Sequence, residues 1–179
     1  MAGRPVVVVG SGAAGLAAAL GAAAAGGDVV VLERADTVGG TTALSGGVAW
    51  LPASDAMKAV GLDDSASDTC RYLAGLEGEV VPGLASAFAA DAGRVAREIE
   101  SRTPLRWEVL EHWPDYHGEI PGALSGGRSL WPAMMSLPDD VEARVQGAPD
   151  QPRRVARGRT DIGDDAGNDG VVFRGPVRG

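Results

Sequence analysis

The sequence predicts an α/β fold that opens with a parallel βαβ unit and continues as a helical and irregular segment. Three observations carry that expectation. Two short valine-rich runs, Val6–Val9 and Val29–Leu32, are separated by a stretch of alanine and leucine. A Gly-x-Gly-x-x-Gly turn, Gly10-Ser11-Gly12-Ala13-Ala14-Gly15, joins the first run to the alanines. Later in the chain, Leu84, Phe88, Val95 and Ile99 recur at helical spacing.

Each part of the opening unit has a physical job. Val6–Val9 is apolar and β-branched, as suits a strand buried on both faces. Gly10 permits the tight strand-to-helix turn, Gly12 lacks the Cβ that would keep a pyrophosphate away, and Gly15 lets helix and strand pack closely. Leu16 to Ala25 suits a closely packed helix, whose N-terminus offers N–H groups and a positive dipole end to phosphates. Gly26-Gly27-Asp28 stops the helix, and Val29–Leu32 is a second buried strand ending at Glu33. Glu33 follows the turn by roughly 20 residues, where a carboxylate accepts both ribose hydroxyls. Together these parts make a Rossmann-like, dinucleotide-binding βαβ unit. A carboxylate there repels a 2′-phosphate, which argues against NADP. Gly39 to Gly47 then packs four glycines and three hydroxyls into nine residues. That composition suits a loop wrapping an extended ligand, and equally a surface loop rich in turn formers.

The run from Val6 to Pro52 resembles the FAD-binding start of the fumarate reductase and 3-ketosteroid Δ1-dehydrogenase flavoprotein family, through GSGAAG, VVVLER and GGTTALSGGVAWLP. The resemblance implies FAD as the cofactor. It implies that Gly10, Ser11, Gly12, Ala14, Gly15, Glu33, Arg34, Thr41, Thr42, Ser45, Gly46, Gly47 and Val48 hold it.

Composition excludes several other functions. The net charge of −8 argues against nucleic-acid or anionic-membrane partners. The single cysteine, Cys70, rules out an internal disulfide, and His112 and His117 have no soft ligand beside them. No apolar run reaches membrane-spanning length and no signal peptide is read, so the expected location is cytoplasmic. Fifteen of the sixteen basic residues are arginine, a skew that reads as codon bias and carries no function.

Beyond the cofactor unit, Ser54 or Asp55 caps a short helix closed by Gly61, and Asp63 to Asp68 begins another. Pro82-Gly83 opens a longer helix whose core stripe is expected at Leu84, Phe88, Val95 and Ile99. Thr103-Pro104 ends it. Leu105 to Leu110 alternates as a strand does. Trp113 to Pro132 is dense in proline, glycine and aromatic residues; loops of this length usually have a job, although spacing alone favours a structural loop with its aromatics packed under it. Tyr116 and His117 are its proton carriers, and the guanidinium of Arg128 is expected to grip an anionic or carbonyl oxygen. Trp50, Trp113 and Trp131 read as core filler or as lining for an apolar pocket.

Two patterns in this stretch, D-Y-x-x-E-x-P-G and G-G-R-S-L-x-P, resemble the ketosteroid dehydrogenase branch more than the fumarate reductases. That likeness implies that Tyr116 is catalytic, supporting the tyrosine that removes the substrate proton, and that the substrate is a small molecule of the steroid ketone class. The arginine acid of the fumarate reductases has no match here.

The likeness runs to Pro138, giving an N-terminal part of an FAD-binding oxidoreductase domain over 1–138. Residues 139–179 lose apolar periodicity and read as a disordered or out-of-frame tail. Members of the family are far longer, so the resemblance implies an incomplete fold, inactive alone. The expected function is the FAD-binding portion of a 3-ketosteroid Δ1-dehydrogenase-like oxidoreductase. The alternatives are a fumarate reductase-type fragment and a non-catalytic FAD-binding module. Oligomeric state is not legible.

Overall fold

A computed structural model describes residues 4–76, 83–145 and 172–174. In chain order its elements are β1 (Val6–Val9), α1 (Ala13–Ala24), β2 (Val29–Leu32), α2 (Gly40–Leu44), β3 (Ala49–Trp50), α3 (Asp55–Ala59), α4 (Ala66–Gly75), α5 (Leu84–Arg102), β4 (Trp107–Val109), β5 (Ser129–Pro132), α6 (Asp139–Glu142) and β6 (Val172–Arg174). They fall into two compact units, one from Met1–Gly46 with Ser136–Gly179 and one from Gly47–Met135.

In the first unit β1 and β2 run parallel, with Val6 opposite Val29 and Val9 opposite Leu32. α1 is the crossover between them, and β6 pairs antiparallel with the other edge of β2. The strand order β1–β2–β6 puts β2 in the middle, and Val29, Val30 and Val31 are only 6–7% exposed. β1 departs from the sequence expectation. Val6, Val7 and Val9 are 44%, 53% and 81% exposed rather than buried on both faces. The reason is position: among the described residues β1 is an edge strand with α1 packed on it. Within the tail expected from Asp139 onward, α6 and β6 are formed, and Val38 bridges to Val145. The rest of that tail, 146–171 and 175–179, lies outside the described residues.

In the second unit β3, β5 and β4 form an antiparallel sheet in that order, and Leu130 in central β5 is fully buried. The Ser54 hydroxyl caps α3 by accepting the Met57 N–H at 3.3 Å, and Ser65 caps α4 by accepting that of Asp68 at 3.0 Å. The α5 expectation is corrected. Its buried residues are Ala89, Ala92 and Ala96, whereas Leu84, Phe88 and Val95 are more than a third exposed. The small face lets the helix come close: a Cβ on Gly93 would collide with the Ala53 carbonyl. Pro82, expected to open this helix, lies outside the described residues, and Gly83 occupies the N-cap.

Candidate functional site

The turn after β1 is built as the glycine spacing requires. Gly10 has φ +94°, a conformation open to glycine and costly for other residues. A Cβ on Gly15 would run into the Gly10 carbonyl, so helix and turn meet backbone to backbone. Gly12 is the N-cap of α1, and Ala14 is exposed in the helix's first turn. The first-turn N–H groups of a helix have no partner within it. That of Ala13 is taken by Thr42 Oγ1 at 3.1 Å.

Ser11 is completely buried. Its hydroxyl donates to Glu33 Oε2 at 2.5 Å, its N–H donates to the same oxygen at 2.9 Å, and its oxygen accepts the Gly39 N–H at 2.9 Å. Glu33 Oε1 accepts the Ala35 N–H at 3.0 Å. The Ser11 hydroxyl, then the Ala35 and Ser11 N–H groups, hold the Glu33 carboxyl down to about 2. Arg34 is exposed in the bend that follows.

Gly39 to Gly47, expected as a loop, contains the short helix α2. It is held by the bonds from Gly39 to Ser11 and from Ala13 to Thr42. Thr41, Thr42 and Ser45 are exposed, and the Ser45 hydroxyl donates to the Thr42 carbonyl at 2.8 Å. Gly12 and Gly40 face each other, and a Cβ on Gly40 would stand in van der Waals contact with Gly12 Cα at 4.0 Å. These residues fit a dinucleotide. The seam is walled by Gly12 and Gly40 with the Thr42 hydroxyl beside them at a helix N-terminus, where a diphosphate is stabilised, and an ionised carboxylate closes the end of β2, where a ribose binds.

In the second unit a cavity of about 600 Å³ is lined by Val48, Trp50, Tyr72, Leu73, Leu76, Trp113, Pro114, Asp115, Tyr116, His117 and Ser129. Gly46 precedes it in sequence, and Gly47 packs against Pro132. Trp50 stacks on Phe88 at 5.8 Å and tilts against Tyr72 at 5.8 Å. Tyr116 is 89% exposed. Trp131 does not line this cavity.

Arg128 is not free to grip a ligand. It is 1% exposed, and its guanidinium binds Asp64 through Nε and Nη2 at 2.8 and 2.7 Å and Asp115 through Nη1 at 2.8 Å. Burial pulls its pKa down, but the bonds and charges of Asp64, then Asp115, raise it above the usual guanidinium value. The reason lies in the backbone. A Cβ on Gly126 would strike the Glu111 carbonyl, and Gly127 takes φ +98° against Met57 and Leu62, so the chain turns Arg128 inward. Sequence reasoning missed Asp64, Tyr72 and Asp115, because the partners lie up to 64 residues apart and no local pattern links them.

The family profile of the FAD binding domain matches residues 5–159. The chain is 37% identical over 145 residues to a 4-oxocyclohexanecarboxylate 2-dehydrogenase of Sinomonas cyclohexanicum, covering 79% of this chain and 25% of the relative. It is 41% identical over 128 residues to a 3-oxosteroid 1-dehydrogenase of Mycobacterium tuberculosis, covering 71% and 23%. A 3-ketosteroid Δ1-dehydrogenase of Sterolibacterium denitrificans, solved with 1,4-androstadiene-3,17-dione, superposes with a TM-score of 0.74 at 34% identity, over 80% of this chain and 26% of that one. The chain thus spans about a quarter of the length of these relatives. On this evidence, which agrees with the likeness read from its motifs, the chain belongs to the FAD binding domain family, among flavoprotein oxidoreductases related to the 3-oxosteroid 1-dehydrogenases.

Proposed function

We propose that the chain is the cofactor-binding portion of a dehydrogenase that desaturates a flat, apolar ketone, as 3-ketosteroid Δ1-dehydrogenases do. In this reading Gly10, Gly12, Ala14, Gly15 and Thr42 border the FAD diphosphate. Glu33, fixed by Ser11, takes the ribose, and Arg34 flanks it. Thr41, Ser45, Gly46, Gly47 and Val48 complete the cofactor contacts. The observation that carries the substrate class is the aromatic cavity with the Tyr116 phenol exposed at its rim. Its volume lies within the range of about 300–1,000 Å³ usual for small-molecule sites.

FAD, when bound, supplies the hydride acceptor. The residues of this chain do the rest of the work assigned to them here. Trp50, Trp113 and the leucines exclude water around the ring system. The Tyr116 hydroxyl donates a hydrogen bond to the base that takes the proton beside the carbonyl, and it does not take that proton itself. The base is proposed to lie in the part of the relatives that this chain does not cover, so the chain alone is proposed to bind without turnover.

The test is titration of the chain with FAD and with 1,4-androstadiene-3,17-dione. FAD at a hundredfold excess over Kd should stabilise the fold by about 2.7 kcal/mol, and the steroid should quench tryptophan fluorescence. A melt unmoved by FAD removes the cofactor reading. An FAD response without steroid quenching removes the substrate class alone.

A further inference from the structure

The loop that carries Tyr116 is pinned on both sides of that residue while the tyrosine itself stays exposed. On one side, the buried Asp115 exchanges backbone and side-chain bonds with Leu124. Its N–H donates to the Leu124 carbonyl at 3.0 Å, and its Oδ2 accepts the Leu124 N–H at 2.9 Å. On the other side, the His117 N–H reaches Tyr72 Oη at 3.4 Å. Asp115 Oδ1 also accepts the indole N–H of Trp50 at 2.7 Å. One cation sits behind all of these contacts. Arg128 grips Asp115 and Asp64, and its Cζ lies 5.4 Å from the Trp50 ring centre and 5.7 Å from that of Tyr72. Asp64 in turn accepts the Ala53 N–H at 3.1 Å and the Ser65 N–H at 2.8 Å, which anchors the cluster to the starts of α3 and α4.

We propose that Arg128 is a positioning residue for the cavity: by bridging Asp64 and Asp115 it sets both the Trp50 wall and the attachment of the Tyr116 loop, without touching a ligand. A planar fork is required, because two carboxylates approach from different directions and one of them is held in bidentate fashion. A lysine keeps the charge but offers one point of attachment. In Arg128→Lys, Asp115 loses its fixed partner, and the Trp50 indole and the Leu124 N–H lose a fixed acceptor with it. The consequence for ligand binding rests on the function proposed above, whereas the consequence for Trp50 does not.

The experiment is nitrogen-15 NMR of the chain, with the Trp50 indole signal identified by its loss in Trp50→Phe. In Arg128→Lys the Trp50 indole and Leu124 N–H protons should exchange with solvent about tenfold faster or more, while the indoles of Trp113 and Trp131 keep their rates. The affinity for 1,4-androstadiene-3,17-dione should fall about tenfold. Asp115→Asn, which keeps the shape and removes the charge that Arg128 holds, should give the same two changes and decides the matter if Arg128→Lys does not fold. Unchanged Trp50 and Leu124 exchange in a folded variant overturns the proposal, since a purely structural role would lower the melting temperature without loosening those two protons selectively. Wild-type chain that fails to bind the steroid overturns the substrate class and leaves the positioning role to be decided by Trp50 and Leu124.

Discussion

The Ser11 hydroxyl donates to Glu33 Oε2 at 2.5 Å, so the residue between the first two motif glycines fixes the carboxylate at the end of the next strand. Ser11 is fully buried and also accepts the Gly39 N–H, so a single side chain ties together the turn, β2 and the start of α2.

Glu33 should carry an acid dependence that Ser11 controls. Its carboxyl is held near 2, below the ordinary value of 4.5. A lowered folded pKa stabilises the fold above the unfolded value, and that stability is lost as pH falls through the folded one. The contribution is therefore intact at neutral pH and fades between about 4.5 and 2. Ser11→Ala removes the largest cause of the shift and should move the acid loss of FAD affinity to higher pH. Cofactor titrations on both proteins from pH 3 to 7 check this, and superimposable profiles would count against it.

Two of the three motif glycines, Gly12 and Gly15, should fail in different ways. A Cβ on Gly12 meets only Thr42 Oγ1 at 3.6 Å and the Gly39 carbonyl at 3.9 Å, both ordinary contacts. Gly12→Ala should therefore fold normally and bind FAD poorly. A Cβ on Gly15 has no room beside the Gly10 carbonyl, so Gly15→Ala should lose stability before it loses anything else. Thermal melts and FAD titrations on the pair separate the two effects. Equal melting losses would refute the assignment.

Leu130 lies in the central strand of the second sheet with no exposed surface. Leu130→Ala should cost about 2–5 kcal/mol, the lost transfer energy plus the cavity left behind. Urea unfolding measures it, and a loss well under 1 kcal/mol would mean that this core is not packed as described.

Removing the charge of Arg128 altogether should be more damaging than its length suggests. Arg128→Met leaves Asp64 and Asp115 facing each other with no counter-ion. Breaking a buried pair in this way costs about 3–5 kcal/mol. The same urea experiment reads it. A neutral result would show that water or another cation takes the place of the guanidinium.

Tyr116→Phe should leave the melt and FAD affinity unchanged, because the side chain is 89% exposed. In a full-length flavoenzyme carrying this segment, the same substitution should slow turnover with the flavin spectrum intact. Normal turnover there would take Tyr116 out of the mechanism.

Local patterns were legible in proportion to how local their causes are. The bounds of β2, the Ser54 cap and the glycine turn follow from neighbours a few residues apart. The stripe of α5 misled because Leu84, Phe88 and Val95 are large and regularly spaced, yet close approach to Ala53 and α4 selected the alanines. The helix α2 was hidden because glycine and threonine are poor helix formers, and its support comes from Ser11 and Ala13, some 28 and 29 residues away. Arg128 follows two glycines, which reads as a guanidinium available to a ligand oxygen. Only the carboxylates of Asp64 and Asp115 reveal that it points inward.

The exposed valines of β1 bear on how the chain behaves in a tube. A strand with one hydrogen-bonded neighbour among the described residues and three valines turned to water is a template for any other extended chain that meets it. Self-association through that edge grows with concentration, so dilution rather than cooling should govern how long the isolated chain stays dispersed. A lysine at Val7, which is 53% exposed, should extend that time in light-scattering measurements.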